Sequence, residues 1–261
     1  MTGRRWAVAG AALGAVVALA VFAPAAWLAA AVASGTEQRL LLADARGTVW
    51  SGSAVAVLTG GAGSRDASAL PGRLAWTLRP QRLGISVALR HACCINGELR
   101  LAVQPGWGRV RFELPPTQGA VGQWPAAWLA GLGTPWNTVQ PTGLMQLSSP
   151  GLSLESVQGR WQFNGRAELD LQNMASRVST LDVLGSYRLV MSHDAGSADG
   201  STLALSTLNG ALLLSGQGQW AASRWRFQGQ ASAAPGSEAV LNNLLNIIGR
   251  RQGALSVISI G

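Results

Sequence analysis

Few residues in this chain could do chemistry. There are two histidines, His91 and His193, and two cysteines, Cys93 and Cys94. An imidazole and two thiols within four positions suit a soft metal. On a strand, however, His91 and Cys93 point to one face while Cys94 points to the other, and no fourth ligand lies near in sequence. A bond between neighbouring cysteines strains the intervening peptide, because the usual Cα separation of about 4.4–6.8 Å exceeds the roughly 3.8 Å of a trans step. A vicinal bridge, an intermolecular bridge and two small buried thiols stay open, and the thiols are the preferred reading. His193, with Asp194 and Asp199, falls in a Gly/Ser-rich stretch, residues 192–201, that reads as a solvated loop. A calcium loop would need more acids at regular spacing. Glu168 and Asp170 alternate on one strand face and read as a polar outer face opposite Ala167, Leu169 and Leu171. No Gly-x-Ser-x-Gly turn, phosphate loop or dinucleotide fingerprint is present. The expectation is a protein that is not an enzyme, with no catalytic, cofactor-binding or metal-binding residues and no cofactor.

The elements that position these groups read as strands. Period-2 alternation recurs in Ile85, Val87, Leu89; Leu99, Leu101, Val103; and Val110, Phe112, Leu114. It returns in Trp161 and Phe163; Ala167, Leu169, Leu171; Tyr187, Leu189, Met191; Leu203 and Leu205; Leu212 and Leu214; Trp225 and Phe227. Asn96-Gly97, Asn164-Gly165 and Asn209-Gly210 are hairpin signals, since both central positions of a type I′ turn need positive φ. Together they predict an antiparallel meander. Six of the eleven prolines crowd residues 115–150. There Trp124, Trp128, Leu129 and Leu132 could form one short helix, and the segment reads as a connection between two β lobes or a cap over the sheet's end. Near the C-terminus, Ser237 can cap a helix whose apolar face is Val240, Leu241, Leu244, Leu245 and Ile248.

The leader predicts the compartment. Arg4 and Arg5 precede an uncharged stretch, residues 6–36, whose strongly apolar part runs over residues 6–33. The first eighteen positions alone would span about 27 Å as a helix, so one transmembrane signal-anchor is expected over residues 1–36, with Trp6 and Trp27 at the interfaces. A cleavable signal peptide ending at Ala31, Val32, Ala33 is the rival. The positive residues before the span place the N-terminus in the cytoplasm and residues 37–261 in the periplasm of the inner membrane. That body reads as one β-rich domain, or as lobes 37–114 and 151–261 joined by the Pro/Trp-rich 115–150. The fold class is mainly β: a single N-terminal transmembrane helix, an antiparallel β-rich periplasmic domain and a short C-terminal helix.

Hydrophobic residues make up 48% of the 261 positions and charged residues 12%, which argues against disorder. The net charge is +8, carried by twenty arginines and no lysine. They are scattered in runs no longer than two, unlike the concentrated basic elements of nucleic-acid binders, so nucleic acid is not an expected partner. Residues 65–111 hold eight arginines against Asp66 and Glu98. That span reads as a solvated sheet face or as a surface for anionic headgroups or an acidic partner.

Four spaced motifs then stand out. They are Gly47, Thr48, Val49, Trp50, Ser51, Gly52, Ser53, Ala54; Leu70, Pro71, Gly72 with Leu74, Trp76 and Pro80; Leu205, Ser206, Thr207 with Gly210, Leu212, Leu214, Gly216, Gly218 and Trp220; and Arg226, Phe227, Gln228, Gly229, Ala231 running into Leu241, Leu244, Leu245, Gly249, Arg250 and Arg251. In this order, behind an anchor, they resemble the type II secretion system protein N family (general secretion pathway protein N). The resemblance implies an accessory, scaffold-type inner-membrane component of the machine that exports folded proteins across the Gram-negative outer membrane. It also implies platform proteins of that machine as partners, and no catalytic residues. A second expectation, from the alternation, is an anchored β-groove that binds or transfers lipid.

Overall fold

A computed structural model describes residues 2–117, 119–157, 160–193, 200–221 and 224–260. Two helices lead, α1 (Thr2–Val21) and α2 (Ala25–Gly35). The first half of the body holds β1 (Leu40–Gly47), β2 (Ser51–Thr59), β3 (Ala67–Ala69), β4 (Leu74–Gln81), β5 (Gly84–His91), β6 (Leu99–Gly106) and β7 (Arg109–Leu114). Next come β8 (Ala120–Pro125), a 3-10 helix (Ala126–Leu132), α3 (Trp136–Val139), and the long pair β9 (Pro141–Val157) and β10 (Arg160–Ser176). The last part holds β11 (Gly185–His193), β12 (Thr202–Gly210), β13 (Leu212–Ala221), β14 (Arg224–Ala233), α4 (Glu238–Ile248), β15 (Arg250–Gln252) and β16 (Leu255–Ile260).

The strands make one antiparallel sheet in the order β1-β2-β4-β5-β6-β7-β9-β10-β11-β12-β13-β14-β16-β15, with β3 paired to β2 and β8 to β9. The meander follows because alternating runs joined by short turns pair first with their chain neighbours. Strands on either side of residues 115–150 join through β7 and β9, so no break in the hydrogen bonding separates residues 37–114 from 151–261.

Paired residues share a face, so the register carries one apolar face across the sheet. Trp76 lies opposite Leu89, and Leu89 opposite Leu99. Val103, Phe112, Leu154 and Phe163 continue the row. Leu169, Leu189, Leu205, Gly216, Gly229 and Ile258 complete it on the later strands. The other face is polar: Arg111 lies opposite Glu155, Asp170 opposite Arg188 and Gln217 opposite Gln228.

Caps close parts of the apolar face. α2 sets Ala25 against Ala54 and Trp76. Trp124 and Trp128 cover Ala56, Leu70 and Cys94, and Ala126 of the 3-10 helix packs on Met145, Met174 and Tyr187. α4 buries Leu241, Leu244 and Leu245 over Leu184, Leu212 and Ala231, each leucine contributing about 1.5–3 kcal/mol by leaving water.

Two expectations are corrected. Among the described residues no helix is long and apolar enough to cross a membrane, so the single transmembrane span is not found. The apolar leader is broken at Pro24, which sits extended at φ −68°, ψ 146° and pairs as an isolated bridge with Thr48. Only residues 6–21 are both apolar and within α1, about 24 Å at roughly 1.5 Å each, against a hydrocarbon core of about 30 Å. α2 packs on the sheet instead. Asn164-Gly165, expected as a turn, lies inside β10. Gly165 has φ +105°, and a Cβ there would stand 2.4 Å from the Gly151 carbonyl oxygen; the glycine serves close strand approach beside a bulge rather than a hairpin.

Candidate interaction surfaces

The joint between leader and sheet is built by the first motif. The indole N–H of Trp50 donates to the Ala20 carbonyl at 2.7 Å, and the Val49 amide donates to the Ala23 carbonyl at 2.8 Å. Trp76, 3% exposed, donates its own indole N–H to the Val49 carbonyl at 3.0 Å. Gly52 makes this possible: a Cβ there would lie 2.6 Å from the Trp76 ring. Trp76 is core, whereas Trp50 is a latch, and it holds the end of α1 against the β1–β2 turn. A tryptophan bracketed by glycines just after an apolar helix is the signal that could have found it. α1 itself stands clear, with every described residue from Trp6 to Phe22 exposed.

The His91, Cys93, Cys94 group departs from the strand reading. β5 ends at His91, and the chain turns there, with the amides of Cys94 and Ile95 both donating to the His91 carbonyl. The turn, unlike a strand, puts the three side chains on one side, their ligand atoms within 4.8 Å of one another. Cys93 and Cys94 are bonded to each other as a vicinal disulfide with Cα atoms 3.7 Å apart, in place of the preferred two thiols. Bonded sulfurs carry no thiolate, the form that binds metal. His91 is 3% exposed, its Nδ1 lies 3.3 Å from Cys93 Sγ, and its Nε2 has no hydrogen-bond partner. Burial holds its pKa below the ordinary 6.5. His193 ends β11, while Asp194 and Asp199 lie outside the described residues.

On the polar face, Glu168 and Asp170 converge on Arg188, at 2.9 and 2.7 Å. The hydrogen bonds that Arg188 donates to Asp170 raise the Arg188 pKa. The two carboxylates share one guanidinium, so the cluster organises a surface. Further along, Ser215, Gln217, Gln228 and Gln230 line a shallow cleft of about 680 Å³. Behind it, Gly216 and Gly229 leave room for the Phe227 ring on the apolar face; a Cβ on Gly216 would meet that ring at 2.5 Å. The amide row was missed in the sequence because its members sit between the apolar positions that the alternation picks out.

The sheet's edges are blunted. β1 is bulged between Ala43 and Arg46, and α2 packs beside it. The far edge, β15, is three residues long and carries Arg250 and Arg251. Short, bulged and charged edges resist strand addition.

No curated protein and no solved structure matches the chain. Residues 38–257, from just before β1 into β16, match the family model described as type II secretion system (T2SS), protein N. The match covers the sheet side of the joint, both faces and the α4 cap, and with it the chain belongs to the type II secretion system protein N family.

Proposed function

We propose that this component of the type II secretion machinery is a scaffold tethered to the inner membrane, with its sheet on the periplasmic side and its polar face presented to neighbouring platform proteins. One observation carries the reading: an apolar helix, exposed from Trp6 to Phe22, is latched to the sheet through Trp50, Val49 and Pro24. Whatever apolar phase receives α1, the sheet is then held at a set relation to it. The blunted edges favour docking by side chains over strand addition.

A lipid-binding reading draws on the apolar face, where Leu101, Val103, Leu154, Leu189 and Leu203 are only half-buried. Photo-reactive residues placed in intact cells at Gln217 and Gln228, and separately at Leu101 and Leu203, test both. Capture of secretion-platform proteins from the polar face supports the scaffold. Phospholipid adducts at both apolar positions, with no protein captured from either face, would overturn the scaffold in favour of lipid contact on that face.

A further inference from the structure

Two neighbouring hairpin tips carry groups that no part of the fold uses. Leu83, at the β4–β5 turn, is 79% exposed, and Trp107, between Gly106 and Gly108 at the β6–β7 turn, is 105% exposed. With β5 paired to β6 from Ile85 and Val103 onward, the tips stand at the same end of the sheet, about 10 Å apart at roughly 4.8 Å per strand. A full-size indole left in water by a folded sheet asks for an occupant.

The charge around the tips says which. Arg79 and Arg82 are exposed and make no ion pair among the described residues. Arg109 and Arg111 reach their nearest carboxylates, Glu155 and Glu113, only at 3.9 Å. An exposed tryptophan and leucine ringed by unspent guanidinium groups match the layer where headgroup phosphate meets acyl chain.

The leader places that layer. Leu78 of β4 donates its amide to the Trp50 carbonyl, and Trp50 holds the last turn of α1. From Leu78, β4 runs on only to Gln81, about 10 Å at roughly 3.3 Å per residue, before turning at Arg82 and Leu83. α1 therefore leaves the body at the tip-bearing end.

We propose that the β4–β5 and β6–β7 tips seat on the anionic headgroup surface of the membrane that receives α1, so that the sheet stands on the bilayer at two points. The inference rests on α1 as the membrane tether. The test uses the full chain reconstituted in phospholipid nanodiscs, with a photo-reactive residue at Trp107, at Leu13 of α1, or at Ile247 of α4. Position 107 is expected to label lipid in discs containing phosphatidylglycerol, several-fold less in pure phosphatidylcholine, and several-fold less when Arg79→Glu and Arg82→Glu are combined in a protein with unchanged melting. Position 247 is expected to label none. Lipid at 13 without lipid at 107 overturns the two-point seat and leaves the tether standing. No lipid at 13 removes the tether and the seat with it. Equal labelling of 107 in neutral and anionic discs overturns the role of the arginines.

Discussion

Replacing Leu245 by alanine tests whether α4 is part of the sheet's core or a helix held out for a partner. Leu245 is 1% exposed and packs in one cluster with Leu184, Leu212, Ala231, Leu241 and Leu244. Its backbone is pinned as well, because the buried Ser256 hydroxyl donates to the Leu245 carbonyl at 2.7 Å. The helix cannot easily sink into the space left behind, so the cost should sit inside the usual Leu→Ala range, about 3 kcal/mol. At about 2–4 °C per kcal/mol for a body of this size, the melting temperature should fall by roughly 6–12 °C. Ile247, two residues away and 52% exposed, is the internal control; Ile247→Ala should shift melting by no more than about 1–2 °C, since surface changes stay within about 0.5 kcal/mol. The assay is thermal unfolding of the full-length protein in detergent, followed by near-ultraviolet circular dichroism. Equal shifts for the two variants would refute the packing argument and return α4 to the status of an unpartnered helix.

Trp50→Phe removes the indole donor to Ala20 at a cost of about 0.5–1.5 kcal/mol, so exchange of the Val49 amide bonded to Ala23 should quicken up to roughly tenfold in hydrogen-exchange mass spectrometry; unchanged exchange would mean the latch bears no strain from α1. Because burial depresses the His91 pKa below 6.5, the unfolded chain binds a proton there before the folded one does. Stability should therefore decline as pH falls from about 6.5 through the folded value, and His91→Gln should lack that slope in denaturant midpoints measured across the window. Gly216→Ala should destabilise by about 1–3 kcal/mol through overpacking against Phe227, and adding Phe227→Ala should recover at least about 0.5 kcal/mol as coupling; strict additivity in urea melts would remove Phe227 from the explanation.

What could be read from the sequence was whatever the pleat writes locally. The sets Ile85, Val87, Leu89 and Leu99, Leu101, Val103 became strands with those residues on one face, because alternation is a property of single strands. The apolar face of α4 was equally legible from its spacing, and Leu241, Leu244 and Leu245 are its buried members. Contacts distant in sequence were not legible. That the leader would end its first helix before Pro24 and pack Ala25 against Ala54 and Trp76 depends on residues about thirty to fifty positions away. Asn164-Gly165 carried a hairpin signal that the pairing of the 17-residue strands β9 and β10 overrode. The Cys93-Cys94 bridge depended on where β5 stops, and strand ends are the least certain feature of a pattern.

The two functional readings separate on how continuous each face is. An acyl chain needs an unbroken apolar path, and the apolar face is interrupted by α2 over Trp76, by Trp124 and the 3-10 helix over Met145 and Tyr187, and by α4 over Leu212 and Ala231. Between these caps the half-buried leucines and valines form short stretches on strands of eight or nine residues, such as β5, β6, β11 and β12. The polar face has no such interruptions among the pairs that mark it: Arg111 with Glu155, Asp170 with Arg188, Gln217 with Gln228. A neighbouring protein can lie along that row without displacing any element, while a lipid would have to lift a cap to extend beyond one stretch. Lipid adducts confined to Leu101 or Leu203 would therefore fit a local apolar contact, and a transport groove would need both positions labelled together with positions beneath the caps.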